Sequence, residues 1–564
     1  MNIYRKNPFG IPLGPLGCLN GTQFLGAMND NIFKLLIVFF FITIEGEAAS
    51  TSILSSVGAL YVLPFLFLSS VAGTMADLHS KRSIIVWVKV AECCVMTLAI
   101  FSFYMASKFL AFTSLFLLAC HSAIFGPCKL GIVPEIVERK EISNANGLIS
   151  SCTYIAIIVG TFLASFLTEV TQRNFIFSAS FSLIFALVGL RFSFGIPYTA
   201  PSGSEKKISP WFITELFHNS IKIYHEPSLA TAVFGSAFFL FVGSFVQLNM
   251  IPFAIESLSL SDVHGGYLFL ICALGIGTGA PLAGKFSNGR VELGLVPIGG
   301  LGIAICALLI SLFSSSLVLE IALIFLLGLF GGIYLIPLDS YIQSASPTTL
   351  RGQVIATTNF LGFFGVLCSA GLLYLLSDIF KFGPNAGFLV IASLMFLTTI
   401  CVSIAISGYI VRFASMLLSR HLYKGSIENT SQIDPRIPSI YFTELEIKPW
   451  AILLHAIQPR RLCIFCLKNK TLHKGMLRRL RERLLGYYTI SSVHDLTTDP
   501  RQVKRLQRAL QRGTSIAIFA PLQESLALKE LLPIKGHVSL ILSKKESPHG
   551  VHTAELTAIP VKTA

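Results

Sequence analysis

The sequence predicts an all-α membrane protein, twelve transmembrane helices in two six-helix bundles, followed by a small cytosolic α/β domain. Three observations carry this expectation. Of the 564 residues, 53% are hydrophobic and 13% charged, and mean hydropathy is +0.71; a soluble chain carries about 25% charged residues. Apolar runs of the length a bilayer requires, about 20 residues, recur twelve times before Arg412. Beyond Arg412 charge and pattern change together. Residues 1–412 hold 20 Lys/Arg against 18 Asp/Glu, and residues 413–564 hold 23 against 11, so the net +14 belongs almost wholly to the tail.

The runs fall at about 18–44, 52–74, 84–106, 109–131, 146–170, 174–196, 227–255, 263–285, 291–314, 317–343, 352–377 and 385–412. The first is not followed by a small-residue cleavage site, so it reads as a span and not as a cleaved leader. The longest polar gap, 197–226, contains YTAPSGSEKK and separates spans six and seven. The expected domains are therefore an N-terminal bundle (1–196), a cytoplasmic central loop (197–226), a C-terminal bundle (227–412) and a basic cytosolic domain (413–564). Two such bundles rocking about a midplane site suit a transporter; a channel or a membrane enzyme can share the topology.

Loop charges give the orientation. Arg5, Lys6, Lys81, Arg82, Arg139, Lys140, Lys206, Lys207, Lys222, Lys285, Arg290 and Arg351 lie on one side, and Lys108, Arg173 and Lys381 on the other. Positive charge stays cytoplasmic, which places both termini and the tail in the cytosol. Glu45, Glu47, Glu256, Asp262 and Glu320 are expected on the opposite side. The protein is expected in the cytoplasmic (inner) membrane.

Polar residues inside the spans are costly there and mark function. Span one holds FLGAMNDNIFK (24–34), with Asn29, Asp30, Asn31 and Lys34. Asp30 and Lys34, i,i+4, share a face and are placed to pair. Lys89 and Glu92 in span three, i,i+3, are placed to pair locally. Gln247 and Asn249 lie in span seven, Asp339 and Gln343 in span ten, and Asn359 in span eleven. Lys129 and Glu135 flank a Gly/Pro break at the end of span four. Pro64, Pro127, Pro252, Pro281 and Pro337 are candidate helix kinks. The twelve Cys are mostly isolated in apolar runs and act as small hydrophobes. Cys463 and Cys466 form the lone CxxC without a second pair, and no metal or cofactor is expected.

The second loop reads GTMADLHSKR (73–82). It resembles the loop signature of the major facilitator superfamily: a glycine, an aspartate four residues on, then basic residues. Gly73 permits close helix approach, Asp77 can cap a helix end and pair with a cation, and Lys81 and Arg82 can hold a cytoplasmic gate. A charged turn obeying the positive-inside rule explains Lys81 and Arg82 equally well. Lys129 and Glu135 are assigned to the same gate. The loop's counterpart, GAPLAGKFSNGR (279–290), lacks the aspartate.

Five stretches resemble the bacterial lysophospholipid transporters of that superfamily: FLGAMNDNIFK, FGPCKLGIVPEI (125–136), SNANGLISSCTYIAIIVGT (143–161), NGRVELGLVPIG (288–299) and IPLDSYIQSASPTTLRGQVIATTNF (336–360). They run in order over roughly 15–410. The resemblance implies the twelve-helix fold and inward movement of lysophospholipid, chiefly lysophosphatidylethanolamine, across the cytoplasmic membrane for re-acylation by a separate acyltransferase or acyl-activating enzyme. Lys34 is then a candidate for the phosphate, and Asp30, with Asn29 or Asn31, for the ammonium. Glu92, Gln247, Asn249, Asp339 and Gln343 are further candidates for substrate binding. A buried ion pair that fixes packing is the competing role for Asp30 and Lys34. A proton-driven carrier of another amphiphile or drug is the alternative function, with Asp30, Glu92 or Asp339 as its proton-binding carboxylate.

In the tail, strand-like runs (439–445, 461–468, 487–493, 514–521 and 537–543) alternate with helix candidates at 473–485 and 500–513. The layout loosely resembles the glycerolipid acyltransferase domain fused to some of these transporters. That activity needs a His with an Asp five residues later; among the twelve His only His494, with Asp499, has that spacing, and FTELEIKPW (442–450), where the layout places the motif, holds no His. The phosphate-loop position reads FAPL (519–522) and lacks the Glu and Gly of FPEG. The expectation is a degenerate acyltransferase-like domain without that activity, against an unrelated α/β domain. A bifunctional enzyme is the third function the sequence permits. Arg478, Arg479, Arg481, Arg483, Lys504, Arg505, Arg508 and Arg512 suit contact with anionic lipid or a solvated face. No nucleic-acid module is recognisable.

Overall fold

A computed structural model of the protein describes residues 13–45, 50–204, 227–260, 262–287, 291–313, 316–421, 425–428, 439–443, 454, 462–467, 487–490, 492, 494–511, 514–520, 538–545 and 552–558. Arg5, Lys6, Glu47, Lys206, Lys207, Lys222, Arg290, the 473–485 segment, Arg512 and residues 444–450 lie outside these residues. The chain divides into two compact units, Met1–Val402 and Ser403–Ala564.

Twelve helices among the described residues are long and apolar enough to cross a membrane. They are α1 (Pro15–Glu45), α2 (Ser50–Leu78), α3 (Lys81–Tyr104), α4 (Lys108–Ile136), α5 (Ile142–Val170), α6 (Phe175–Ser193), α7 (Pro227–Pro252), α8 (Asp262–Phe286), α9 (Val296–Leu312), α10 (Leu317–Ala345), α11 (Arg351–Tyr374) and α12 (Pro384–Ala405). Polar residues set several starts. The side chains of Ser80, Ser107 and Asn174 accept from the Ser83, Leu110 and Phe177 amides at 3.4, 3.4 and 3.1 Å, satisfying donors that a first turn leaves open. Pro64, Pro127, Pro281 and Pro337 lie inside helices; Pro252 ends α7 and is followed by a π-turn, Phe253–Ser257.

The two halves repeat one packing scheme. In the first, α1 packs on α5, α2 on α4 and α3 on α4; in the second, α7 packs on α11, α8 on α10 and α9 on α10. The most extensive cross-half contacts are α2 with α11 and α5 with α8, which the same two-fold exchanges. Apolar packing within the first half centres on Phe33, Phe40, Phe41, Phe103 and Phe175, with Phe40 and Phe103 edge to face at 4.8 Å. In the second half α8 and α10 touch backbone to backbone. A Cβ on Gly332 would stand 2.7 Å from the Ile276 carbonyl oxygen, so this approach requires a residue without a side chain. Glu320, expected on the outer side, sits in the first turn of α10 and is fully buried.

The last apolar run ends as a helix at Ala405, short of the expected 412, and a separate amphipathic helix, α13 (Ser407–His421), follows. The second unit then carries β1 (Gly425–Glu428), β2 (Ser439–Thr443), β3 (Leu462–Leu467), β4 (Tyr487–Ile490), α14 (Asp495–Thr498), α15 (Pro500–Gln511), β5 (Ser515–Phe519), β6 (Val538–Lys545) and β7 (His552–Ala558). The sheet order is β1-β7-β6-β2-β5-β3-β4, parallel throughout except for β6 against β7. All five residues of β2 and of β5 are buried, as expected of parallel strands covered on both faces. Ile440, Phe442, Phe465, Ile516, Ile518 and Leu506 of α15 form its core. On α15 the buried Leu506 faces inward, Arg501, Lys504 and Arg508 are exposed, and Arg505 lies 4.9 Å over the Tyr488 ring.

Candidate functional site

The polar residues of the first unit sort into three groups: a joint between the halves, a closed network inside the first half, and an interior facing the second half.

The joint lies at the end bearing Lys81, Arg139, Lys140, Lys285 and Arg351. The Asp77 carboxylate accepts from the backbone amides of Gly352 at 2.7 Å and Gln353 at 3.0 Å. No side chain of α11 caps its own start; Asp77 of the other half supplies that cap. Its negative charge faces the positive end of the α11 dipole. Gly73 makes room, since a Cβ there would stand 2.8 Å from the Gly352 oxygen. Lys81 pairs with Glu135 at 2.7 Å, and Arg351 approaches Glu135 at 3.9 Å. Asn146 of α5 donates to Ser340 and Gln343 of α10 at 3.0 and 3.1 Å, and Gln343 donates back at 2.9 Å. Ser151 donates to the Gly277 carbonyl, and the Asn144 backbone meets Gly284.

Two residues assigned to the gate have partners within the first half. Arg82 donates to the Ile196 carbonyl at 3.4 Å. Lys129 stands six residues before Glu135, more than a helical turn away, and does not pair with it. Its ammonium donates to Gln23 of α1 at 3.3 Å and lies 6.0 Å from the Phe125 ring centre.

The closed network joins α1, α3 and α4. Lys89 and Glu92 pair at 2.6 Å, both fully buried. Asn29 donates to Glu92 at 3.0 Å, and His121 Nε2 stands 3.2 Å from Glu92 Oε2. The Lys89 ammonium fills the space above Gly26 and Gly189 and lies 5.5 Å over the Phe125 ring. Asn29 Nδ2 and both Glu92 oxygens are thus engaged by protein partners, while Asn29 Oδ1 has no hydrogen-bond partner among the described residues. Removing one member of a buried ion pair costs about 3–5 kcal/mol. Lys89→Met is expected to lower the melting temperature in detergent sharply, and Lys89→Met with Glu92→Gln to recover much of it. Equal melting of the single variant and wild type would show that the pair does not hold the half together.

The interior is built differently. Ser122 donates to Asp30 Oδ2 at 2.6 Å and the Tyr61 hydroxyl to the same oxygen at 3.1 Å. Asp30 Oδ1 has no hydrogen-bond partner among the described residues. The expected Asp30–Lys34 pair does not form. Lys34 instead reaches Asn31 at 3.4 Å and lies 5.4 Å over the Tyr61 ring, since α2 and α4 offer Asp30 closer partners. Gln23 is held by the Ile149 carbonyl and Thr153 and presents its oxygen to Lys129. Lys129 stands within electrostatic reach of Asp30 and of Asp339 across the halves. Asp339 accepts from Ser236 at 2.9 Å.

A cavity of about 110 Å³ adjoins this group, with Leu130, Leu240, Leu335, Ile342 and Ile355 as apolar wall and Ser236, Asp339, Gln343, Thr358 and Asn359 as polar wall. It has room for a few waters, each occupying about 30 Å³ of liquid volume. Asn249 does not reach it: buried, it donates to the Pro384 carbonyl at 2.8 Å and packs on Gly387, holding α7 to α12. Gln247 is exposed. Sequence reasoning missed Gln23, Tyr61, His121, Ser122, Asn146 and Ser236. The available signal was a glutamine and a histidine each standing inside an apolar run.

The sequence profile of the Major Facilitator Superfamily matches residues 20–370 and 233–420. The lysophospholipid transporter LplT of Enterobacter sp. (strain 638) is 24% identical over 366 residues, covering 63% of this chain and 89% of that protein. Its namesake from Serratia proteamaculans (strain 568) is 22% identical over 344 residues, covering 60% and 82%. Among solved structures, the human organic anion transporter MFSD10 superposes with a TM-score of 0.57 at 16% identity, covering 69% of this chain and all of that one (100%). The Escherichia coli fucose:proton symporter FucP gives 0.56 at 13% identity, covering 69% and 98%. At these identities the structural likeness is one of fold.

Proposed function

This chain belongs to the Major Facilitator Superfamily and is a multi-pass membrane transporter; on that premise we propose that it carries lysophospholipid, chiefly lysophosphatidylethanolamine, inward across the cytoplasmic membrane by alternating access. The lipid is delivered for re-acylation by a separate enzyme. The reading is supported by the similarity to transporters named for lysophospholipid across both halves. The observation that carries it at the residue level is the charge order of the interior. Lys129 lies within electrostatic reach of the Asp30 and Asp339 carboxylates, and Asp30 Oδ1 has no hydrogen-bond partner among the described residues.

A lysophosphatidylethanolamine headgroup has a phosphate and an ammonium a few bonds apart. Lys129, steadied by Gln23, meets the phosphate in this reading, and Asp30 or Asp339 meets the ammonium. Lys34 is placed to attract the headgroup toward Asp30. Charge-assisted hydrogen bonds of this kind contribute roughly 1.5–3 kcal/mol each. Asp77, Lys81, Glu135, Arg351, Asn146 and Gln343 hold the cytoplasmic end shut while the other end admits lipid. Binding energy from the headgroup favours the conformation in which these contacts part, and alternating access follows as a population shift. The basic tail lies on the cytosolic side in this orientation, where Arg501, Lys504 and Arg508 suit anionic headgroups.

The test is uptake of labelled lysophosphatidylethanolamine into cells lacking their own lysophospholipid transporter, with competition by a headgroup series. Expression of this chain is expected to restore uptake, and unlabelled lysophosphatidylethanolamine to compete better than glycerophosphoethanolamine, which lacks the acyl chain. A correctly inserted chain that restores no uptake contradicts the reading.

A further inference from the structure

A strap of the first half lies beside the joint, and neither the spans nor the spacing of the second loop calls for it. Beyond α6 the chain continues without regular structure over residues 197–204. Ile196, Thr199 and Ser202, every third residue, are buried or half-buried, while Pro197, Tyr198, Ala200 and Pro201 are exposed. A repeat of three is that of a polyproline II helix, which the two prolines favour. Both ends of the strap are tied to the segment that joins α2 to α3. Ile196 belongs to the apolar cluster of Ala76, Ile84 and Ile85, and its carbonyl accepts from Arg82. Ser202 Oγ donates to the Asp77 carbonyl at 2.6 Å, across 125 residues of sequence.

We propose that Ser202 is a positioning residue for the gate: by holding the last turn of α2 it aims the Asp77 carboxylate at the start of α11. The inference rests on the reading of Asp77 as a hold between the halves, and it applies whatever the cargo.

Asp77 is one residue from the end of α2, where carbonyls lack a partner within the helix and the last turn frays. The Ser202 hydroxyl takes the place of that partner. It fixes the peptide that follows Asp77 and, with it, the direction of the side chain. That direction matters because one carboxylate serves two amides, Gly352 at 2.7 Å and Gln353 at 3.0 Å, and hydrogen bonds weaken steeply as they bend. Clearance is small as well. One turn earlier on α2, a Cβ on Gly73 would stand 2.8 Å from the Gly352 oxygen, so the helix end has little room to find a second arrangement. The counterpart loop of the second half, 279–290, has no aspartate to share the task. The first residues of the predicted central loop therefore act as part of the gate.

Amide hydrogen exchange of the full chain in nanodiscs reads the aim of Asp77 directly, through the Gly352 and Gln353 amides. Ser202→Ala is expected to exchange them about fivefold faster than wild type, the equivalent of one neutral hydrogen bond. Ser202→Thr keeps the donor and is expected to match wild type, and amides within α9 and α10 to be unchanged in both. In Asp77→Ala the two amides have already lost their acceptor, so adding Ser202→Ala is expected to change nothing more. Unaltered exchange in Ser202→Ala overturns the proposal. Fast exchange in Ser202→Thr does the same, since the donor is then present without effect. So does a rise shared by α9 and α10, which marks general loosening, and so does the full step in the Asp77→Ala background, which marks a route that bypasses Asp77.

The consequence for the gate is read by disulfide cross-linking between cysteines placed at the exposed Asn144 and Lys285, in a chain cleared of native cysteines. Yield is expected to fall in Ser202→Ala and to hold in Ser202→Thr. Unchanged yield in Ser202→Ala beside a fallen yield in Asp77→Ala overturns the proposal. Unchanged yield in Asp77→Ala itself counts against the reading of the joint, and exchange at Gly352 and Gln353 then decides the role of Ser202 alone.

Discussion

Asp77→Ala is expected to open the joint between the halves and to stall transport. The carboxylate accepts two amide hydrogen bonds at 2.7 and 3.0 Å from a helix start that has no other side-chain cap. At about 1.5 kcal/mol each, the low end for charged acceptors, their loss amounts to about 3 kcal/mol. That shifts the balance between closed and open joint on the order of a hundredfold, since each 1.4 kcal/mol is a factor of about ten. Asp77→Asn keeps an acceptor but no charge, and should show about half the free-energy effect. The readout is disulfide cross-linking between cysteines placed at the exposed Asn144 and Lys285, which flank the close approach of α5 to α8, in a chain cleared of native cysteines. Yield should fall in Asp77→Ala. Unchanged yield would place the hold between the halves elsewhere, in the Asn146–Gln343 pair.

Lys129→Met should reduce lysophospholipid uptake more than any other single change in the interior. The methionine keeps the length and the apolar contact with Phe125 but removes the cation that the phosphate meets. Loss of one charge-assisted contact of about 2–3 kcal/mol corresponds to a drop of roughly 30- to 150-fold in affinity. Asp30→Asn should follow closely. Its Oδ1 is without a partner among the described residues, and the amide replaces an acceptor for the ammonium with a neutral group. Lys34→Ala should have the smaller effect, because Lys34 already rests on Asn31 and Tyr61. Uptake measured at several lipid concentrations separates the cases. A rise in the half-saturating concentration places the residue on the headgroup, and a fall in maximal rate alone places it in the conformational step.

Much of the architecture was legible because the bilayer imposes it. Length and polarity of each run dictate a span, and the loop after α2 announces Asp77 by spacing alone. The interior was less legible. A list of polar residues within spans gave Asp30, Lys89, Glu92 and Asp339, but not their partners. Asn29 meets Glu92 across 63 residues, Asp30 meets Ser122 across 92, and Asn146 meets Gln343 across 197. Helical spacing tied Asp30 to Lys34, and the contact failed because Tyr61 and Ser122 lie nearer. Lys129 was read by proximity to Glu135 in sequence, yet helical rotation turns it into the interior. In the tail the strands with β-branched and aromatic residues were evident. Gly425–Glu428 is too short, and His552–Ala558 too mixed, to be seen without the neighbouring strand that pairs with it.

The central claim is translocation of a single-chain phospholipid by this chain. It is tested most directly by the purified protein in sealed vesicles containing fluorescent lysophosphatidylethanolamine, with albumin added outside to extract whatever lipid remains in the outer leaflet. The account predicts that wild type moves a growing fraction beyond the reach of albumin while Lys129→Met leaves it extractable, as in protein-free vesicles. Lipid that stays fully extractable with well-inserted wild type would contradict it and assign the carrier another cargo.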